Sequence, residues 1–199
     1  MRYIIMANGK GSRWKADSGI PKHLASVHGE SLLERIVRQL IELKISDIVI
    51  TSSNPSYTVY GAQRHEPASD KFELDRFTTE LIADDCCFLY GDTFYTDEAM
   101  RTIVKLSVPE LMFVGSARSI VAVSIKKKEP FEKALSEVRD AIARGKLEDA
   151  RGWEVYNAYT SQPLDSRKAA KDYLIIGGTK NINTVEDYYE LVRSPNWNA

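Results

Sequence analysis

The feature that most constrains this fold is a short apolar run followed by a glycine-rich, basic loop. Residues 3–6 (Tyr-Ile-Ile-Met) are typical of a buried first β-strand. Gly9 and Gly11 follow, and because glycine lacks a Cβ the backbone can turn sharply and bring its N–H groups close to an anion. Arg13 and Lys22 add a planar guanidinium and a flexible ammonium. The pattern predicts a loop that holds a polyphosphate; the alternative is a glycine-rich turn with incidental basic residues.

Neither of the two best-known phosphate loops matches this stretch. The dinucleotide-binding fingerprint requires a third glycine where the chain has Trp14. The Walker loop requires a glycine at the position of Ile4, which lies within the predicted strand. What remains is Gly-x-Gly-Ser-Arg at residues 9–13, followed after a gap by Pro21-Lys22. This signature resembles that of the sugar nucleotidyltransferases, which join a nucleoside triphosphate to a phosphate monoester.

The rest of the chain alternates between apolar runs and amphipathic segments. Ser31 and Glu34 form a capping box ahead of apolar residues at helical spacing, and the runs at 47–51 and 86–90 are typical of parallel strands covered on both faces. This alternation predicts one α/β domain over residues 1–199, and the resemblance implies a Rossmann-like three-layer α/β/α domain with a mostly parallel central sheet. Further strands are predicted at 57–60, 111–114, 120–125 and 173–176, and further helices at 73–83, 97–106, 131–144 and after the Thr184 cap.

Composition excludes several classes of function. The apolar fraction of 43% supports a packed core, and the net charge of -1 argues against nucleic acid or an anionic membrane as a partner. No apolar run reaches membrane-spanning length, and the N-terminus is a predicted strand, not a signal peptide. Cys86 and Cys87 are interpreted as core side chains. We therefore expect a cytoplasmic monomer or homodimer.

Two residues near strand ends are candidate metal ligands. Asp92 follows the 86–90 run, and because a buried carboxylate needs a partner, a hard cation such as Mg²⁺ fits this position; the alternative is a turn that Asp92 caps. Asn183 lies ahead of the last helix and resembles the second metal position of the family; the alternative is an ordinary loop asparagine. Because ligands of such sheets bind beyond the carboxyl ends of the strands, the loops at 7–14 and 52–54 should converge with Asp92.

The resemblance rests on three motifs in the family's order and implies a reaction. A phosphate monoester oxygen attacks the α-phosphorus of the nucleoside triphosphate and pyrophosphate leaves, with Mg²⁺ as cofactor and little covalent chemistry from the protein. Arg13 would neutralise the departing pyrophosphate, and Lys22 would lie near the α-phosphate and draw in the acceptor. Asp92 and Asn183 would hold Mg²⁺. The implied nucleotide-binding residues are Ala7, Asn8, Gly9, Gly11, Ser12 and Ser53.

The chain departs from the family pattern in three places. The loop opens with Ala7-Asn8 instead of Ala-Gly or Ala-Ala, so contacts with the base or ribose can differ. The family's Gly-Thr-Ala segment is missing, and residues 66–74 occupy that region. Asn183 stands where an aspartate is common. These departures leave the identity of the base open.

The acceptor would be recognised by the segment 145–180. Trp153 and Glu154 resemble the aromatic–acidic patch of cytidylyltransferases that accept phosphocholine or amino-alcohol phosphates, where an aromatic face can hold a quaternary ammonium. The alternative is that Trp153 packs a helix against the sheet. Lys180 is a candidate contact of the acceptor phosphate, or else a surface lysine.

Three functions compete at this stage. A nucleotidyltransferase acting on a sugar 1-phosphate or a similar monoester is favoured, with a phosphocholine-type cytidylyltransferase as its alternative. A nucleotide-sugar-dependent glycosyltransferase usually carries Asp-x-Asp after the middle strand, where this chain has Asp92-Thr93-Phe94. A non-catalytic nucleotide-binding regulator would need neither metal ligand.

Overall fold

A computed structural model describes residues 1–9, 11, 13–14, 19–194 and 197. The strands are β1 Arg2–Met6, β2 Ser26–Val27, β3 Glu30–Ser31, β4 Ile48–Thr51, β5 Gln63–His65, β6 Cys86–Tyr90, β7 Thr93–Tyr95, β8 Leu111–Gly115, β9 Ile120–Ile125, β10 Tyr173–Ile175 and β11 Thr179–Asn181. The helices are α1 Leu32–Glu42, α2 Asp97–Val104, α3 Lys128–Ala143, α4 Gly152–Tyr159 and α5 Val185–Arg193.

The centre of the protein is a mostly parallel sheet. Within the described residues, seven strands lie in the order β10-β8-β9-β6-β1-β4-β5. Strand β1 pairs parallel with β4 and β6, β4 with β5, and β8 with β10, whereas β9 runs antiparallel to β6 and β8. The predicted mostly parallel α/β sheet is therefore confirmed.

Helices cover both faces of the sheet, as the apolar strands require. Alternate residues of a strand point to opposite faces, and in β1 Tyr3 and Ile5 pack with α1 and α2, while Ile4 and Met6 pack with α3 and α4. The capping boxes at Ser31 and Thr184 form as predicted and begin α1 and α5. The result is the predicted three-layer arrangement.

The structure corrects two predicted elements. Residues 57–60 form no strand, because Tyr57 turns into the core beside α1, and the edge strand is β5 instead. The predicted helix at 73–83 is two 3₁₀ turns, Glu73–Arg76 and Thr79–Leu81. The Asp75 carboxylate accepts hydrogen bonds from Phe72 N and Ser69 Oγ, and such local bonds compete with a continuous helix.

The prediction also missed the short strands β2 and β3 and three further elements. Strands β7 and β11 form a short antiparallel pair beyond the main sheet, and α4 lies in a segment whose polar pattern indicated no element. These elements matter because β7, β11 and α4 all border the carboxyl end of β6. No helix in the described ranges has the length and apolar character needed to cross a bilayer.

Candidate active site

The carboxyl ends of β1 and β6 bring the glycine-rich loop and Asp92 together. Ala7 N donates to Thr51 O (3.0 Å), which extends the β1–β4 ladder by one residue. Gly91 N donates to Met6 O (3.0 Å), and a Cβ at Gly91 would lie 2.8 Å from that same oxygen. Only glycine allows this approach, so the backbone itself places Asp92 beside the first loop.

Asp92 forms a buried ion pair with Lys22. The 3₁₀ turn Lys22–Leu24 directs the Lys22 ammonium to Asp92 Oδ2 at 2.5 Å, and the two residues are 5% and 4% exposed. Arg76 Nη1 lies 3.8 Å from the same oxygen. Burial alone would raise the pKa of Asp92, but Lys22 and Arg76 outweigh it, so that its pKa lies below the ordinary value. Asp92 is therefore a carboxylate at neutral pH.

Arg13 and Asn183 form a second polar pair at the same edge. Arg13 Nη2 donates to Asn183 Oδ1 at 2.9 Å although 170 residues separate them. Strand β11 pairs with β7, and Ile182 N then donates to Asp92 O at 2.8 Å, which places Asn183 next to the Asp92 backbone. The structure thus brings together the four residues assigned to catalysis and metal binding, Arg13, Lys22, Asp92 and Asn183.

The residues assigned to nucleotide binding lie on the glycine-rich loop, apart from Ser53, which lies in the loop after β4. Gly11 has a φ of 59°, a conformation that favours glycine, and its carbonyl accepts from Trp14 N at 2.8 Å. The Asn8 amide donates to Asp75 O at 3.3 Å, so part of its hydrogen-bonding capacity is used within the protein. Ser53 is exposed in the loop after β4, apart from the clefts described below. Ser12 lies outside the described residues.

Gly9 is held against Arg76. A Cβ on Gly9 would collide with the Arg76 guanidinium, so the absence of a side chain is what lets this arginine pack on the loop. Arg76 comes from the 3₁₀ turn Glu73–Arg76, just after the segment 66–74 that replaces the family's Gly-Thr-Ala segment.

Two clefts of about 230 Å³ each meet at the Lys22–Asp92 pair. The first, here called the loop cleft, is lined by Gly9, Gly11, Trp14, Gly19, Ile20, Pro21, Lys22, His23 and Tyr57. The second, here called the arginine cleft, is lined by Arg13, Glu73, Arg76, Tyr90, Asp92, Arg118, Ser119, Ile120, Arg151, Gly152, Trp153, Asn181 and Asn183. Lys22 faces the first and Asp92 the second, so the pair forms part of the wall between them.

His23 is a buried, neutral neighbour of the pair. The pKa of His23 is lowered to about 3, chiefly by burial. The cations Lys22 and Arg76 also lower it, whereas the Asp92 carboxylate raises it. Its Nδ1 lies 3.2 Å from the Tyr57 hydroxyl. An uncharged His23 leaves Lys22 and Arg76 as the cations that face Asp92 at neutral pH.

The donor set fits Mg²⁺ bound through its substrate. In the described ranges, no three His, Cys, Asp or Glu residues are grouped as a metal site. The arginine cleft offers the ionised carboxylate of Asp92 and the amide oxygen of Asn183, and Glu73 and Asn181 also line it. Magnesium in phosphate-transfer sites takes one or two protein oxygens and completes its shell with phosphates and water, so Asp92 and Asn183 suffice.

The three residues assigned to acceptor binding lie in different parts of the structure. Trp153 lines the arginine cleft but is 8% exposed and stacks on Tyr173 with ring centroids 5.3 Å apart and planes at 14°. Glu154 is buried and does not line the cleft; its carboxylate accepts from Arg167 Nη2 at 2.6 Å and from Arg151 N at 2.7 Å. Lys180 lies on β11, faces α5 and pairs with Glu190 at 2.6 Å, away from the cleft.

Three arginines of the cleft were not found by sequence reasoning. Arg76, Arg118 and Arg151 come from a 3₁₀ turn, the β8–β9 turn and the N-cap of α4, and no periodic pattern links these positions. The only available signal was that Arg76 follows closely on the segment 66–74, where the family pattern fails.

Comparison with known proteins places this arrangement in a family. The family model of the MobA-like NTP transferase domain matches residues 3–161. A comparison with curated protein sequences finds no match.

Among the solved structures that share the fold over nearly their whole length are three proteins. They are a nucleoside-diphosphate-sugar pyrophosphorylase from Vibrio cholerae (13% identity, 96% of this chain and 100% of the other, TM-score 0.66), a putative glucose-1-phosphate thymidylyltransferase from Bacillus anthracis (19%, 96% and 93%, 0.62) and a CTP:phosphocholine cytidylyltransferase from Streptococcus pneumoniae (17%, 96% and 96%, 0.58). At these identities the likeness shows the fold, while the family match covers most of the chain. This protein therefore belongs to the MobA-like NTP transferase domain family and is a nucleotidyltransferase.

Proposed function

We propose that this enzyme joins a nucleoside triphosphate to a sugar 1-phosphate or a similar phosphate monoester, releases pyrophosphate and requires Mg²⁺. The observation that carries the proposal is the buried Lys22–Asp92 pair between two clefts. The triphosphate and the phosphate monoester each need a binding site, and the two sites must meet where a cation and a metal ligand face the reacting phosphates. Lys22 is that cation and Asp92 is that ligand. The loop cleft supplies the first site and the arginine cleft the second.

The loop cleft suits the nucleoside triphosphate. Glycine at positions 9 and 11 leaves the backbone open to phosphate oxygens, as a polyphosphate site requires. Asn8, beside Thr51 and Asp75, lies where the chain enters this loop and is the proposed contact of the base or ribose. Ser53, which lies outside both clefts, is proposed as a further contact from its place in the loop after β4. Ser12 is proposed from the motif alone.

The cations at the junction supply the charge stabilisation. Lys22 is the proposed contact of the α-phosphate, and Arg13 of the departing pyrophosphate, because both cations face the space beside Asp92. Asp92 and Asn183 are the residues that would hold Mg²⁺, which supplies further neutralisation of phosphate charge when it is bound. Fixed charges of this kind lower the barrier without covalent chemistry from the protein.

The runner-up acceptor, phosphocholine or an amino-alcohol phosphate, is supported by the named activity of one structural neighbour. It would need an open aromatic face for the cationic head group. One face of Trp153 is occupied by Tyr173, and arginines surround the cleft, so a cation is disfavoured there. Sugar phosphates are supported by the other two neighbours.

We also propose that the domain works as a single unit in the cytoplasm, as a monomer or homodimer. The two cysteines are free and buried, which suits a reducing compartment.

The test is pyrophosphate release with Mg²⁺, each of the four common nucleoside triphosphates, and pools of sugar 1-phosphates or amino-alcohol phosphates. Asp92→Asn should abolish release, whereas Asp70→Asn, an equal change at an exposed site, should not. Release that requires one triphosphate and one sugar phosphate pool is the expected result. Release only with the amino-alcohol pool would establish the runner-up, and no release from any pool would count against the proposal.

A further inference from the structure

The arginine cleft holds more positive charge than one reacting phosphate explains. Arg13, Arg76, Arg118 and Arg151 line it, against the carboxylates of Glu73 and Asp92. Arg76 is already paired, with Glu73 at 3.3 Å and Asp92 at 3.8 Å, and Arg13 donates to Asn183. The remaining two, Arg118 and Arg151, have no role in the proposed reaction.

The Arg118 guanidinium is the unpartnered group of this cleft. Within the described part of the chain it makes no hydrogen bond or ion pair, although its backbone is fixed at both ends. Arg118 N donates to Ser116 Oγ at 3.1 Å, and Arg118 O accepts from Trp153 Nε1 at 3.2 Å. A turn anchored in this way presents an exposed guanidinium at a defined place on the rim.

Arg151 lines the same cleft from a different element of the fold. It is the N-cap of α4, and its own amide donates to Glu154, so its position is also fixed. Its side chain is 66% exposed, and its ion pair with Glu73 is long at 3.7 Å. The following residue, Gly152, also lines the cleft, so the positive end of the α4 dipole faces the same region.

We infer that the acceptor carries a second anionic group, a carboxylate or a second phosphate, bound by Arg118 and Arg151. The inference rests on the proposed function, because the acceptor's reacting phosphate would occupy the end of the cleft at Lys22 and Asp92, and Arg13 is assigned to the departing pyrophosphate. Guanidinium forks match both carboxylate and phosphate oxygens and would repel a quaternary ammonium. The substrate class is thus an acidic phosphate monoester, such as a uronic acid 1-phosphate, a phosphorylated hydroxy acid or a bisphosphate.

The test compares acceptor probes that differ by one anionic group. The first set is glucose 1-phosphate, glucuronic acid 1-phosphate and glucose 1,6-bisphosphate; the second is glycerol 3-phosphate and 3-phosphoglycerate. Binding to the full chain is measured by titration calorimetry with Mg²⁺ at constant ionic strength. We expect an acidic member to bind about tenfold more tightly than its neutral partner in at least one set, and the carboxylate and bisphosphate arms report which anion is preferred.

The variant Arg118→Gln/Arg151→Gln should reduce this preference to about threefold or less. The matched control, Arg101→Gln/Arg144→Gln, removes two exposed charges outside the cleft and should retain it. Equal affinities within both sets, a preference that survives in the cleft variant, or an equal loss in the control would each overturn the inference. Absence of binding by every acidic probe at about 10 mM would also overturn it.

Pyrophosphate release, measured in parallel, reports on the proposed reaction separately. Preferential binding without release would retain the anionic subsite and remove the reaction. Pyrophosphate release without a preference for acidic acceptors would retain the reaction and remove the anionic subsite.

Discussion

Removing Asp92 should destabilise the protein more than removing Lys22. The two side chains form one buried pair, but their surroundings are not equivalent. In Lys22→Met, Asp92 keeps its contact with the Arg76 guanidinium at 3.8 Å. Because Coulomb attraction falls inversely with distance, this contact is about two thirds as strong as the Lys22 contact at 2.5 Å, so Asp92 is not left uncompensated. In Asp92→Asn, no other carboxylate of the described residues lies within 4 Å of the Lys22 ammonium.

Breaking a buried pair on one side typically costs about 3–5 kcal/mol, because the remaining charge stays uncompensated. We expect that range for Asp92→Asn and about 1–2 kcal/mol for Lys22→Met, since the aliphatic stem of Lys22 is preserved. The assay is urea unfolding at pH 7 followed by circular dichroism. Asp70→Asn is the control, and it should change the free energy of unfolding by less than about 0.5 kcal/mol.

The decisive result is which of the two substitutions lowers the free energy of unfolding more. If Lys22→Met costs as much as Asp92→Asn or more, then Arg76 does not compensate Asp92 and the electrostatic description of the site is wrong.

Three further predictions follow from the same geometry. Arg13→Ala should lower turnover by about 10²–10³-fold with folding unchanged, because Arg13 is a donor that stabilises transition-state charge. The control Arg193→Ala should leave turnover unchanged. Equal turnover in the two variants would contradict the role of Arg13. Gly91→Ala should destabilise by about 1–3 kcal/mol because its Cβ meets a backbone oxygen, and Gly177→Ala, which meets nothing within 4 Å, should not; equal unfolding midpoints would refute this. Burial lowers the pKa of His23 from its ordinary 6.5 to about 3. Between these two pH values the unfolded chain binds a proton that the folded protein does not bind. The free energy of unfolding should therefore fall by up to about 1.4 kcal/mol per pH unit as the pH drops from 6.5 towards 3. His23→Gln should flatten that limb of the stability profile, and an unchanged slope would show that His23 is protonated in the folded state.

The fold was largely predictable because its strands and helices carry regular signals. Apolar runs such as Cys86–Tyr90 are typical of strands in a sheet that is covered on both faces, and the capping box at Ser31 begins a helix by local hydrogen bonds. The pair β7–β11 escaped because three-residue strands have no periodicity, and they form only when residues 93 and 181 meet across the fold.

The candidate site was predictable where a motif lies on one loop or one strand end. Arg13, Lys22 and Asp92 converge because the loops after parallel strands β1 and β6 leave the sheet at the same edge. Asn183 joins them through the antiparallel pairing of β11 with β7. The surroundings were not predictable, since Arg118 and Arg151 enter the cleft through tertiary contacts of a turn and a short helix. For the same reason Lys180, plausible by position along the chain, faces α5 instead.

The most direct test of the central claim follows the phosphates of the triphosphate separately. With Mg²⁺ and the acceptor identified by pyrophosphate release, a triphosphate labelled at the α-phosphorus should transfer its label to the acceptor, and one labelled at the γ-phosphorus should release it as pyrophosphate. Asp92→Asn should do neither. Label recovered as free nucleotide and inorganic phosphate, with nothing joined to the acceptor, would show that the two clefts do not bring two phosphates together at Lys22 and Asp92.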